Sequence, residues 1–313
     1  MIRTSLFKRV EVKKWGDVAR VHENLLNLTR KSGHEWMFRG QKEAYWGLES
    51  SLERAVFAFG VRPGEMPDKK DPDYETKLAA LRRTVLKRGL NGKMVLEIEK
   101  GLVRRFKRQS HHYVADTPDA DNRPEWLALM QHYGGPTRLL DWTHSFFVAL
   151  FFAVEQAEQA CTVWAVDRQV LIDAGRRVVR AARMRYPDQK DPNLMKEDNF
   201  DRILWRKARP LLFACALNPY RLNERLTIQQ GTFLCPGDIS RPFEDNLAAS
   251  LAGRSDALMK IDVVDDAQVR RDILQRLHRM NMNRASLFPG LAGFAESLRT
   301  LLVFPGMLRP DPD

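Results

Sequence analysis

The chain has 313 residues, enough for one large domain or two small ones. Lysine and arginine number 51 against 40 acids, a net charge of +11 with a pI near 9.7, and a surplus of that size favours contact with a polyanion, nucleic acid being the usual one. Three scattered cysteines (Cys161, Cys215 and Cys235) without a CxxC pair argue against a zinc ribbon and fit a reducing compartment. The charged N-terminus does not read as a signal peptide, and no run reaches the ~20 apolar residues of a membrane span, so a cytoplasmic protein without membrane contact is expected.

In chain order, "VEVKKWGDVARVHENLLNL" predicts a short strand, a turn and a helix capped by Asp17, with Val18, Val21, Leu25 and Leu28 on one face. "EWMFRGQ" reads as a strand ending in a tight bend at Gly40. "WGLESSLERAVFAFG" gives a loop and a helix starting near Ser50 or Ser51, followed by a proline- and charge-rich loop. Residues 76–108 are helical and strongly basic, with Glu97 and Glu99 among the few acids. They form either a solvated face or a surface that tracks phosphates.

"DTPDADNRPEWLALMQHYGG" is a loop and a short helix, and the polar "HYGGPTRLLDWTHS" then runs as a loop into an apolar helix from Phe146 to Glu158. "CTVWAVD" has strand composition. Residues 168–209 are polar and arginine-rich, and "PLLFACALN", "RLTIQQGTFLC" and "ALMKIDVV" read as three more strands. "DDAQVRRDILQRLHRM" is an amphipathic helix with an acidic start, and "SLFPGLAGFAESLRTLL" a last helix. The mixture predicts an α+β fold: a modest sheet, long helical insertions and one core.

Three stretches carry candidate chemistry. Arg39 lies between an aromatic strand and Gly40, where a ligand can approach the backbone. A buried guanidinium needs a partner, and the sequence offers two: an internal Asp141 or ligand phosphate. In "HYGGPTRLLDWTHS", Thr143 or Ser145 can cap the following helix, whose free amides attract an anion. Asp141, His132 and His144 can move protons there, although a cap with a satisfied core histidine explains the same residues. Gln230 before Gly231 is an unusual residue for a strand; it can orient a hydroxyl but cannot act as a base. The adjacent His111 and His112 do not point the same way and HExxH is missing, so no metal site is expected; GxxxxGK[ST] and GxSxG are missing too, so neither a phosphate loop nor a hydrolase elbow is supported.

Taken together, "FRGQ" (38–41), "HYGGPTRLLDWT" (132–143), "ALFFA" (149–153), "QQGTF" (229–233) and "SLFPGLAG" (286–293) resemble the FRG domain in its block order. Gly290 and Ala292 stand where that family usually has aspartates, which argues against catalysis from the last block. The resemblance implies a single FRG domain over residues 1–313, with basic helical insertions at about 62–128 and 168–209.

The same blocks are similar in layout to the three-part signature of ADP-ribosyltransferases, implying an ADP-ribosyltransferase-like core of small mixed or antiparallel sheet. On that similarity Arg39, Asp141, Thr143 and Gln230 are the catalytic candidates. Arg39, Gly40, Gln41, His132, Tyr133, Arg138 and Trp142 would hold NAD. Gln230 departs from the expected carboxylate, which Asp141 would then supply.

The activity implied is transfer of ADP-ribose from NAD to nucleic acid, single-stranded RNA ahead of DNA, by a toxin or phage-defence effector held by an acidic antitoxin. The alternatives are a non-catalytic RNA-binding module and a metal-independent ribonuclease toxin using His132 or His144.

Overall fold

The β-branched and aromatic runs of the sequence pair into one mixed sheet. The structure is a computed structural model and describes residues 7–68, 70–89, 92–181, 200–205, 210–219 and 224–302. Its strands are β1 (Lys8–Val12), β2 (Trp36–Gln41), β3 (Leu140–Thr143), β4 (Cys161–Asp167), β5 (Ala214–Leu217), β6 (Gly231–Pro236) and β7 (Leu258–Val263). Their order among the described residues is β1-β7-β4-β2-β3-β6-β5. Only β1 and β7 run parallel; the other neighbours are antiparallel. The α+β expectation holds.

The helices are α1 (Trp15–Ser32), α2 (Ser51–Gly60), α3 (Tyr74–Gly89), α4 (Gly92–Ser110), α5 (Arg123–His132), α6 (Phe146–Val154) and α7 (Arg168–Ala181), then α8 (Glu224–Ile228), α9 (Phe243–Ser250), α10 (Ala267–Arg279), α11 (Arg284–Leu287) and α12 (Leu291–Leu301). No described helix is long and apolar enough to cross a membrane. Of the second basic insertion, residues 182–199 and 206–209 lie outside the described residues.

Several local readings change. Asp17 does not cap α1, whose first flanking residue is Lys14; it sits in the first turn and accepts the Lys13 amide at 3.0 Å. Leu28 is exposed, at 37 %, while Val18, Val21 and Leu25 are buried. Ser50 caps α2 through the Glu53 amide. α6 ends at Val154, four residues early. Residues 140–143, read as loop, form a central strand, whereas 225–228, the start of the 225–235 stretch read as strand, are helical, and only its later part, from Gly231, is strand. The last segment is two helices, α11 and α12.

Instead of one core, the sheet separates several clusters. One face is covered continuously: Met37, Leu140, Trp142, Trp164, Leu234 and Leu258 pack with residues of α7 and α9. The register places Phe38, Thr143, Asp141 and Phe233 together on the other face, and there the packing divides. Phe38, Val163 and Ile261 pack with α1, α6 and α10, while Phe233, Cys235 and Leu217 pack with α4, α5 and residues 200–205. The seam between the two clusters follows the β2–β3 boundary.

β2 and β3 splay apart at this boundary. Every residue of β2 is in register with β4, yet β2 meets β3 only at Phe38–Thr143. α6 fixes β2 from above. It is apolar throughout, as a buried helix must be, and each fully buried Leu, Val or Phe contributes roughly 1.5–3 kcal/mol. It lies so close that a Cβ on Gly40 would fall 1.9 Å from the carbonyl oxygen of Ala149 and 2.7 Å from the Ala153 nitrogen. Gly40 is therefore a helix-packing residue first: the backbone that approaches it is α6, where the sequence reading placed a ligand. Gly40→Ala is expected to destabilise the fold by about 1–3 kcal/mol through overpacking. Thermal denaturation should show a clear drop in Tm, and an unchanged Tm would contradict this packing.

Candidate functional site at the β2–β3 seam

A cavity of about 290 Å³ opens where the strands splay. β2 contributes Phe38, Arg39 and Gly40 to its wall, β3 contributes Asp141, Trp142 and Thr143, and β6 contributes Gly231 and Phe233. Ala128, Gln131 and His132 of α5, Phe152 of α6, and Arg225, Leu226 and Gln229 in and after α8 complete it.

Arg39 bridges the gap. Its Nη1 donates to the main-chain oxygen of Asp141 at 2.7 Å. The internal partner offered by the sequence is thus the backbone of Asp141, not its carboxylate. Nε of Arg39 is buried without a hydrogen-bond partner among the described residues. Burial draws the guanidinium down to about 10, the Asp141 carboxylate works against that fall, and Arg54 adds to it. It stays charged at neutral pH, with donors to spare.

Asp141 is exposed at the cavity, and Gln131 orients it. The Gln131 Nε2 donates to Asp141 Oδ2 at 3.0 Å, while its Oε1 accepts from Ser51 Oγ at 3.1 Å and from Thr137 Oγ1. Two hydroxyls on the oxygen fix which end of the amide faces the carboxylate. His132 lies on the same wall. Burial, helped by Arg225, lowers its pKa, which favours the neutral ring, the form that can accept a proton.

The polar loop divides its residues between joint and cavity. Thr143, expected to be catalytic, spends its hydroxyl on structure: it donates to the Gln229 carbonyl at 2.6 Å and accepts the Ser145 amide at 3.0 Å. Ser145, not Thr143, caps α6, and residues 145–148 do not line the cavity. Arg138, expected to bind cofactor, is fully buried. Its Nε lies 2.9 and 3.0 Å from the two Glu99 oxygens and its Nη1 donates to Leu204 O at 3.2 Å. Burial opposes its charge, but Glu99 more than restores it and holds the pKa above the ordinary arginine value. No ligand reaches it.

The remaining expected residues scatter. Gln41 is buried, its amide held by Gly47 O at 2.9 Å and the Trp164 Nε1 at 2.8 Å, away from the cavity. Tyr133 is 60 % exposed and off the wall. Trp142 touches the wall, but its ring packs in the opposite-face core. Gln230 is exposed in a turn with φ +48°, and Gln229 takes the place on the wall assigned to it; the Gln229 amide donates to Leu287 O at 2.9 Å. His144 lines neither this cavity nor its neighbour, so the two histidines do not form an acid–base pair.

Sequence reasoning missed Gln131 and Arg225. Gln131 had a usable signal, standing directly before the "HYGG" block. Arg225 had none.

The basic insertion also resolves. On α3, Lys77, Arg82, Arg83 and Arg88 pair with Asp71, Glu49, Asp245 and Glu65. On α4, Arg104, Arg105 and Arg108 are exposed and make no ion pair among the described residues. They lead into His111, His112 and Tyr113, which are exposed with neighbouring rings in contact.

An NMR titration of the His132 ring is expected to give a pKa below the ordinary 6.5; a value above 6.5 would mean that a carboxylate, not burial, governs it.

Comparison with known proteins agrees with the first three motif blocks, at 38–41, 132–143 and 149–153. The family model of the FRG domain matches residues 34–161, which hold β2, β3 and the start of β4. No curated protein and no solved structure matches the chain. Both strands of the splayed pair, with Arg39, Gln131, His132 and Asp141, fall within the segment that matches the FRG domain.

Proposed function

We propose that this protein is an NAD-dependent ADP-ribosyltransferase acting on nucleic acid, single-stranded RNA ahead of DNA. The observation that carries the reading is an exposed, oriented carboxylate, Asp141, in a cavity bordered by two guanidinium groups, Arg39 and Arg225. The residues fit NAD. Arg39 keeps a buried donor without a partner for an anionic ligand, and the cavity is roughly the size of one half of a dinucleotide. NAD supplies a ribosyl group on a leaving nicotinamide.

The protein's part is placement and electrostatics. The bond from the ribose carbon to nicotinamide breaks with its electron pair leaving on nicotinamide. Asp141 stabilises the positive charge developing at the ribose carbon. An acceptor oxygen or nitrogen forms the new bond, and Asp141 or the neutral His132 takes its proton. Gln131 keeps the carboxylate pointed into the cavity.

The layout supports an ADP-ribosyltransferase-like core: Arg39-Gly40 on one central strand, and Asp141 and Thr143 on the next, leading into the "ALFFA" helix α6. We take one FRG domain to extend beyond the matched residues, because β1, β5, β6 and β7 complete the same sheet. The exposed Arg104, Arg105 and Arg108 beside His111, His112 and Tyr113 suit single-stranded nucleic acid, where cations track phosphates and rings stack on bases. The same cluster is what favours the second reading, a non-catalytic RNA-binding module. A toxin or phage-defence role held by an acidic antitoxin matches the +11 charge.

Radiolabelled NAD incubated with RNA, DNA and protein acceptors is expected to label RNA, and Asp141→Asn to reduce labelling about 100-fold or more at unchanged Tm. Tight RNA binding with no label on any acceptor would establish the module instead.

A further inference from the structure

A second cavity of about 560 Å³ adjoins the first, and His132 and Arg225 belong to both walls. Phe288 lines the outer cavity between two guanidinium groups, Arg225 at 4.4 Å and Arg284 at 4.6 Å from its ring centre. The two arginines differ in what they hold. Arg284 is neutralised: its Nε and Nη2 bond Glu155 at 2.6 and 3.2 Å, and its Nη1 bonds Glu296 at 2.5 Å. The Arg225 guanidinium has no hydrogen bond or ion pair among the described residues and rests against the Phe288 ring.

This state is costly for a half-buried cation. Burial lowers the Arg225 pKa; Asp141 opposes the fall without coming within ion-pair distance, and Arg284 adds to it. Stacking on Phe288 occupies one face of the guanidinium plane and leaves its in-plane N–H donors free. A planar fork of donors at the neck between two cavities is shaped for the oxygens of a phosphate.

We propose that Arg225 clamps the phosphate of the cleft's ligand at this neck, so that the ligand is a phosphodiester or pyrophosphate with one end in each cavity. The inner end lies beside Asp141 and the outer end on Phe288. That the ligand is a dinucleotide rests on the ADP-ribosyltransferase reading; the clamp itself does not, since a nucleic-acid strand offers the same phosphate chemistry.

Binding of ADP-ribose, nicotinamide riboside and a short single-stranded RNA to the full chain separates these cases, with Arg225→Gln and Arg225→Lys as variants. ADP-ribose affinity is expected to fall about 10–100-fold in Arg225→Gln and less in Arg225→Lys, with nicotinamide riboside unaffected and Tm unchanged. If RNA alone shows the Arg225-dependent loss, the clamp stands and the NAD reading fails. Equal affinity of wild type and Arg225→Gln for every phosphorylated probe overturns the clamp, as does a wild-type protein that binds none of them.

Discussion

One hydrogen bond spans the place where the sheet opens: the Arg39 guanidinium to the main-chain oxygen of Asp141. β2 and β3 meet at a single register pair, so backbone groups beyond it need other partners. A side chain takes over from the ladder. That substitution lets two central strands diverge inside a continuous sheet, and the divergence is the cavity. α6 makes it possible by holding β2 at Gly40, and the division of the packing on that face leaves space above the gap.

Three arginines near the seam show how burial and partners decide a cation's role. Arg138 is sealed with a carboxylate and braces the fold. Arg39 is tied to the backbone and keeps a spare donor. Arg225 is stacked on a ring and otherwise without a partner among the described residues. A single "HYGGPTRLLDWTHS" stretch carries both kinds of residue: Arg138, Thr143 and Ser145 build the joint, and His132 and Asp141 face the cavity.

The sequence made α6 legible because a helix apolar on every side has one home, the core. β2 and β4 were legible for their aromatic and β-branched residues. β3 was not: four residues are too short to display an alternation, and Asp141 in their midst reads as loop. The Gln229–Gln230 shift has a similar origin. A short helix ends in a left-handed turn at Gln230, and that turn decides which glutamine faces inward. The role expected of Arg138 was not legible because its partner, Glu99, lies 39 residues away on helix α4, where spacing is silent. Arg225 acquires its position only from tertiary packing against Phe288.

The most direct test is a crystal structure of the protein with NAD or ADP-ribose bound. The account predicts the ligand at the β2–β3 seam, its ribose beside the Asp141 carboxylate and its phosphates between Arg39 and Arg225. A ligand ordered elsewhere, or a seam closed by Arg39 pairing with the Asp141 carboxylate, would contradict it.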